Sequence, residues 1–344
     1  MTTLLLHSMG GDAMTIREQT QQLERERLSP WAMQVTETRG REKPTQPCPI
    51  RTEYQRDRDR IIHSKSFRRL MNKTQVFLSP EGDHYRTRLT HTLEVCQIAR
   101  TIARALNLNE DLTEAIALGH DLGHTPFGHA GEDVLAQVCP HGYIHAVQSV
   151  RVVEVLENAG NGLNLTWEVR DGILCHSSGP EAATREGRVV RYADKIAYMN
   201  HDIDDAIRAG VLTPGDIPQR FRQELGETKS ERITAFVTAV VEHSGREITM
   251  DPKHQALYEE LRGFMFQQVY TNPTAKKEEG KAKEVVRQLY HYFAGHPHML
   301  PEEYRSIMEK TDVHRAVCDY ISGMSDRFCI SIFEEIFVPK SWGL

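Results

Sequence analysis

The stretch RTRLTHTLEVCQIARTIARAL, residues 86–106, shows the pattern that decides the fold. Its apolar residues stand at positions 89, 93, 95, 98, 102, 103 and 106, a spacing that places them on one face of a helix. The next segment, NEDLTEAIALGHDLG at 109–123, begins with an asparagine suited to capping a helix and ends in glycine. These segments predict two packed amphipathic helices, with His120 and Asp121 at the C-terminal end of the second.

The same helical spacing continues along most of the chain. We expect further helices near 14–27, 128–138, 145–159, 166–176, 187–209, 228–243, 254–269, 281–293 and 312–334. The best strand candidate is the short segment 73–79, and polar loops are expected at 272–283 and 294–304. Alternating strand–helix units and the GxGxxG and GxxxxGK patterns are absent, which argues against a Rossmann fold and a P-loop. The predicted fold class is all-α.

Length and composition exclude several classes of protein. A chain of 344 residues can bury a large core, and its net charge of −6 leaves no overall basic field, so any polyanion site must be local. Six scattered cysteines without a CxxC pair favour reduced thiols over a disulfide framework. The first residues lack the basic region of a signal peptide, and no apolar run approaches the roughly 18 residues of a membrane span. We therefore expect a cytoplasmic protein without a membrane partner.

Proline content and helical periodicity divide the chain into three parts. Residues 1–49 are expected to form an N-terminal extension and surface arm, because the stretch from Ser29 to Thr52 contains four prolines. Residues 50–210 carry the strongest helical spacing and are expected to form the core. Residues 211–344 are expected to form a C-terminal helical region that packs on that core.

The segment GHDLGHTPFGHAGED, residues 119–133, holds three histidines, three acids and four glycines, a mixture that core packing does not require. His91 precedes it on the first helix, and Asp194 follows in RVVRYADKIAYMNHDIDDA at 188–206. Two imidazoles and two carboxylates on neighbouring helices can converge on one cation. Nitrogen and oxygen ligands without thiolate favour Mn, Fe, Co, Ni or Mg over a structural zinc. The residues alone also allow the alternative that His91 and Asp194 are ordinary helix residues.

Six segments resemble, in order, the deoxyguanosinetriphosphate triphosphohydrolase family of the HD-domain phosphohydrolases. They are QRDRDRIIHSKSFRRLMNKTQVF, RTRLTHTLEV, GHDLGHTPFGHAGE, IHAVQSVRV, YADKIAYMNHDIDDA and CDYISGMSDR. The resemblance covers about residues 14–210 and 312–340. It implies an HD-domain helical core with an additional C-terminal helical region that also takes part in oligomer contacts. It further implies a homo-oligomer, often a hexamer, with effector dNTPs at subunit interfaces in some members, and it admits single-stranded DNA as a partner.

The resemblance also implies roles for individual residues. The positions that match ligands of a divalent metal (Mn, Mg, Fe, Co or Ni) are His91, His120, Asp121 and Asp194. Those that match catalytic histidines and acids are His124, His129, Glu132 and His145. Those that match substrate contacts are Gln75, Arg88, Lys195, Tyr198 and Asp202. Arginine and lysine suit the triphosphate, and the other three surround the sugar 3′-hydroxyl.

The expected function is metal-dependent hydrolysis of dGTP or several dNTPs to a deoxynucleoside and inorganic triphosphate. His129 is the expected proton donor to the leaving 5′-oxygen. One alternative is another HD phosphohydrolase, acting on nucleoside monophosphates or guanosine tetraphosphate. A second is an oligomer that senses nucleotides or DNA, although a sensor would not need the acids and histidines of 119–133.

Overall fold

The computed structural model of the protein describes residues 14–75, 86–271 and 273–340, and the side chains of all of these except 273–277. Within those ranges the regular structure is helical, and the only bridges are the isolated pairs Arg41–Thr166 and Thr74–Thr87. The all-α prediction is therefore confirmed. The strand expected at 73–79 lies mostly outside the described residues, and Thr74 contributes one isolated bridge.

The helices follow one another along the whole described chain. They are α1 Ile16–Arg27, α2 Glu53–Ile62, α3 Lys65–Arg69, α4 Arg88–Ala105, α5 Glu110–Gly119, α6 His129–Val138, α7 His145–Arg151, α8 Glu157–Gly160, α9 Trp167–Leu174, α10 Arg185–Arg208, α11 Gln219–Leu225, α12 Lys229–His243, α13 Pro252–Met265, α14 Pro273–Gly295, α15 Glu302–Met308, α16 Val313–Ser322 and α17 Asp326–Phe337. Two of them continue as π-helical turns, α7 into Val152–Leu156 and α13 into Phe266–Tyr270.

Side-chain caps set where the three central helices begin. Thr87 accepts a backbone N–H at the start of α4, Thr184 does so for α10, and Asn109 caps α5 as predicted. Helix α10 crosses both α4 and α5. Their apolar faces meet in fully buried side chains, among them Val95, Ile102, Leu112, Ile116 and Val190. This packing brings the end of α5 against the middle of α10.

The described apolar residues form two clusters. The first contains side chains of α2, α4, α5, α9, α10, α12 and α13. The second contains α6 together with α14, α15, α16 and α17, and it also takes in Phe127. The 120–128 loop, which joins α5 to α6, therefore leads from one cluster to the other.

Two segments predicted as polar loops contain helix. Residues 273–283 form the first turns of α14, so the prediction of a loop at 272–283 is wrong. Lysine, glutamate and alanine favour helix, and Pro273 stands at the first position, where its missing N–H costs nothing. The expected loop at 294–304 contains the 3₁₀ turn Pro297–Met299 and the start of α15.

Two predicted helices are interrupted. The helix expected at 312–334 is split into α16 and α17, because Ser325 adopts extended backbone and caps the second helix through its side chain. The helix expected at 145–159 ends in a π-helical turn, after which Asn158 and Ala159 adopt left-handed backbone. None of the described helices combines the length and the apolar character that a membrane crossing requires.

Candidate active site

Helix α10 brings together the four residues expected to bind metal. His91 lies on α4, His120 and Asp121 follow α5 directly, and Asp194 lies on α10. The Nε2 atom of His91 is 3.1 Å from Oδ1 of Asp194. Nε2 of His120 is 3.5 Å from Oδ1 of Asp121 and 3.8 Å from Oδ1 of Asp194. Three of the four residues are buried, and the Asp194 side chain is 24% exposed, which leaves the cluster open on one side.

The His120 ring shows that this cluster suits a cation. Its Nδ1 lies 2.7 Å from the carbonyl oxygen of Ala117, which can only accept, so Nδ1 carries the proton. In the neutral ring, Nε2 then presents a lone pair towards two carboxylates, and this buried atom has no hydrogen-bond partner among the described residues. Three electron-rich atoms facing one another are stabilised by a cation between them, and nitrogen and oxygen donors fit a divalent metal.

His176 adds a further imidazole to this cluster. It follows α9, and its Nδ1 lies 2.7 Å from the carbonyl oxygen of Ile173, the same arrangement that orients His120. Ring nitrogens of His120 and His176 and an oxygen of Asp194 all lie within 4.8 Å of one another. His201, on α10, contacts the ring nitrogen of His91 that faces away from Asp194, with 3.3 Å between the two Nδ1 atoms.

The expected catalytic residues form a connected network beside the four candidate metal ligands. Nε2 of His124 lies 3.2 Å from Oδ1 of Asp121, and the rings of His124 and His145 stack with 4.1 Å between centroids. Glu132 accepts hydrogen bonds from the backbone N–H of His145 at 2.8 Å and from its Nδ1 at 2.9 Å. His129 differs from the others because its side chain is 66% exposed, with Nδ1 3.5 Å from Oε2 of Glu132.

Burial and charge set the protonation of this network. Burial disfavours the charged ring of His124, and with the nearby Arg88 guanidinium it holds the pKa of His124 well below its usual value. Burial acts in the same direction on His145, but the hydrogen bond and charge of Glu132 outweigh it and raise the pKa of His145. The two stacked rings therefore differ in proton affinity, with the higher affinity at the ring bound to Glu132.

The expected substrate residues fall into two groups. The first group consists of Gln75, which precedes α4, Arg88 at the start of α4, and Lys195 on α10. Arg88 is buried at the start of α4 and donates to Oδ2 of Asp121 at 2.9 Å. Gln75 is buried close by, and its Oε1 has no hydrogen-bond partner within the described chain. Lys195, next to Asp194, is half-buried on α10. Gln75 and Arg88 thus keep a buried acceptor and a buried donor without partners among the described residues, whereas the Lys195 ammonium lies 5.8 Å from the centroid of the Tyr192 ring.

Tyr198 and Asp202 lie further along α10 and meet Tyr270. The rings of Tyr198 and Tyr270 stack with 6.0 Å between centroids, and the Tyr270 hydroxyl donates to Oδ2 of Asp202. The other carboxylate oxygen, Oδ1, is buried without a partner among the described residues. Burial raises the pKa of Asp202 to about 7, although the hydrogen bond from Tyr270 opposes that rise.

Comparison with known proteins identifies the family. The HD domain model matches residues 88–199, and the phosphohydrolase-associated domain model matches residues 248–335. A protein of Caldanaerobacter subterraneus subsp. tengcongensis, named deoxyguanosinetriphosphate triphosphohydrolase-like protein, is 57% identical over 332 residues, covering 96% of this chain and 98% of its own. The chain belongs to the deoxyguanosinetriphosphate triphosphohydrolase-like family. Proteins of the same name from Desulfatibacillum aliphaticivorans and Clostridium tetani are 49% and 47% identical, covering 95% and 96% of this chain and 99% of each relative.

The family assignment confirms the resemblance inferred from the six sequence segments, and the HD domain supports a hydrolase. Two residues that lie beside the candidate site, His176 and Tyr270, were not among the residues expected from the sequence. His176 carried a usable signal, because CHSSG follows α9 much as GHDLG ends α5. Tyr270 carried none, since it stands in the least diagnostic part of the sequence and lies 68 positions from Asp202, which it meets only in the folded chain.

Proposed function

We propose that this family member is a metal-dependent dNTP triphosphohydrolase that releases a deoxynucleoside and inorganic triphosphate. The observation that carries the proposal is the Nε2 atom of His120, which is buried without a hydrogen-bond partner among the described residues and faces the carboxylates of Asp121 and Asp194. The names of its relatives support a deoxynucleoside triphosphate as substrate. The adjoining histidine network and the unpaired polar groups around Gln75 and Asp202 support hydrolysis of such a substrate at this place.

His91, His120, Asp121 and Asp194 would hold the metal, and His176 lies within reach as a further donor. When bound, a divalent cation supplies Lewis acidity towards a phosphoryl oxygen and lowers the pKa of a coordinated water. Arg88 would hold the triphosphate, because its guanidinium is already fixed against Asp121. Lys195 would contribute a second positive charge from α10. Both charges would lie in place before the reaction, which reduces the cost of ordering them in the transition state.

His129 would deliver the proton to the leaving 5′-oxygen. It is the exposed member of the network, so its ring can meet an incoming substrate, and Glu132 lies near its Nδ1. His145 would be less suitable, since Glu132 and His176 occupy both of its ring nitrogens. His124 would instead take the proton of the attacking water, because its Nδ1 has no hydrogen-bond partner among the described residues, and His145 would hold the His124 ring in place by stacking on it. A positioned general acid contributes about 10²–10⁴-fold to such a reaction.

Gln75, Tyr198 and Asp202 would surround the 3′-hydroxyl of the deoxyribose. A sugar hydroxyl has one proton, which it can donate to one of two unpaired acceptors, Oδ1 of Asp202 or Oε1 of Gln75. Tyr270, stacked on Tyr198, would form a wall of the same pocket. A hydroxyl at the 3′-carbon would thereby be distinguished from a hydrogen atom.

The experiment is incubation with each of the four dNTPs, alone and mixed, with Mn²⁺ or Mg²⁺, followed by chromatography of the products. Equal amounts of deoxynucleoside and inorganic triphosphate support the proposal. Orthophosphate or pyrophosphate from a monophosphate or from guanosine tetraphosphate would favour the alternative HD phosphohydrolases. Binding of nucleotide without turnover would favour a sensor.

Homo-oligomerisation, an effector dNTP at subunit interfaces, binding of single-stranded DNA and the cytoplasmic location stay predictions. Turnover of one dNTP that depends on adding a second would support the effector. Light scattering with and without nucleotides would test the oligomer. The division at residues 49 and 210 is likewise a proposal.

A further inference from the structure

The C-terminal region reaches into the active site at the junction of α16 and α17. Asp326, in the first turn of α17, is buried and accepts three hydrogen bonds from the catalytic half of the chain. Its Oδ1 accepts from the backbone N–H of Phe127 at 2.9 Å. Its Oδ2 accepts from the backbone N–H of Thr74 at 3.0 Å and from the Thr74 hydroxyl at 2.5 Å. One carboxylate thus joins the 120–128 loop to the residue next to Gln75.

Lys73 makes a second link at the same junction. Its side chain is almost fully buried, and its ammonium group donates to the carbonyl oxygens of His124 at 2.5 Å and Ser322 at 2.7 Å. Ser322 is the last residue of α16, so this link also runs from the C-terminal region to the loop. The backbone carbonyl of Lys73 accepts the N–H of Arg88, which connects the link to the start of α4.

The loop needs such support because its backbone is strained. Phe127 has a φ of 62° and Gly128 a φ of 58°, and the left-handed region is unfavourable for a residue with a large side chain. Within the described residues, Asp326 is the side chain that accepts the Phe127 N–H, and the Phe127 ring packs in the second apolar cluster. Residues of the C-terminal region therefore stabilise the left-handed backbone at Phe127, between His124 and His129.

We propose that Asp326 and Lys73 are positioning residues, which hold the loop carrying His124 and His129 in the geometry needed for reaction. The inference rests on the proposed function. It makes the α16–α17 junction a part of the active site that acts without touching substrate. Ser325, the adjacent residue, caps α17 through the Phe328 N–H and has no hydrogen bond to the loop, so it offers a matched control.

The experiment compares Asp326→Asn with Ser325→Ala by kinetics and by amide hydrogen exchange of the peptide covering residues 122–132. In Asp326→Asn one oxygen becomes an amide group that cannot accept from its present partners. We expect kcat to fall about 10–100-fold with KM changed less than about threefold, because displacement by roughly 1 Å costs that much. Exchange in the 122–132 peptide should rise about tenfold, whereas Ser325→Ala should leave both readouts near wild type.

A second variant, Lys73→Met, removes the hydrogen bonds of Lys73 to His124 and Ser322. It should also lower kcat while leaving KM nearly unchanged. Unchanged exchange in both Asp326→Asn and Lys73→Met would overturn the proposal, as would raised exchange with unchanged kcat. A loss of activity in Ser325→Ala equal to that in Asp326→Asn would also overturn it, since general destabilisation would then explain both. A wild-type protein that releases no triphosphate would overturn the proposed function, while the exchange experiment would still decide whether Asp326 holds the loop.

Discussion

Replacing Asp194 by asparagine tests the metal cluster with little disturbance elsewhere. Asp121 pairs with Arg88 and His124, so its removal would leave other buried groups without partners. The described ion-pair contacts of Asp194 are with His91 and His120, and asparagine can still accept the hydrogen bond of His91. The change therefore removes one ligand charge and keeps the shape of the site.

The expected effect follows from the linkage between binding and stability. Losing a group that merely orients a ligand costs about 10–100-fold in metal affinity, so losing a ligand charge should reach at least the upper value. At a Mn²⁺ concentration of 100 times the wild-type Kd, metal stabilises the folded wild type by about 2.7 kcal/mol. With affinity reduced about 100-fold, the same concentration stabilises Asp194→Asn by about 0.4 kcal/mol.

The assay is chemical unfolding of both proteins with and without Mn²⁺, together with calorimetric titration of the metal. Asp204→Asn is the matched control, because it makes the same change on the same helix, away from the cluster. Adding Mn²⁺ should raise the unfolding free energy of both variants, and the rise should be about 2 kcal/mol smaller in Asp194→Asn than in Asp204→Asn. Equal increments in all three proteins would refute the placement of the metal between His120 and Asp194.

Three further predictions concern the sugar, the proton donor and the N-terminal arm. A 2′,3′-dideoxynucleotide should be a poor substrate, since unpaired polar groups cost roughly 1–3 kcal/mol each, and Tyr198→Phe should narrow the ratio of kcat/KM between deoxy and dideoxy substrates. His129→Ala should lower kcat about 10²–10⁴-fold with metal content retained, and a 5′-aryl phosphate analogue should recover much of that rate, whereas the exposed control His298→Ala should behave as wild type. If His129→Ala is fully active, His145 becomes the donor to test. Burial raises the pKa of Glu24 from 4.5 to about 7, so the unfolded chain ionises first as the pH rises. Glu24 should then contribute a fall of about 1–3 kcal/mol in the unfolding free energy between about pH 4.5 and 7, with no further change above that range. Because burial raises the pKa of Asp202 into the same range, the fall measured by urea titration should be smaller in Glu24→Gln than in wild type by that amount, and a fall equal to that of wild type would contradict the prediction.

Local signals account for what could be predicted from the sequence. The spacing of apolar residues in α4 and α5 and the cap at Asn109 depend on neighbours within a few positions, and the structure has both helices where they were expected. The same applies to the placement of His120 and Asp121 just after α5. The errors at α14 and at the break before α17 have a local cause too, because polar helix formers resemble a loop and a single serine cap resembles a helical residue.

The sequence by itself determined the helical class, the family and the residue types available for a metal site, because these depend on composition and on short ordered segments. Only the tertiary structure placed His176 beside His120, stacked Tyr270 on Tyr198 and brought Asp326 within hydrogen-bond distance of the Phe127 N–H. Asp326 and Phe127 lie 199 positions apart along the chain. Their contact depends on how the second apolar cluster packs against the first, and no periodicity or cap within either segment encodes that distance.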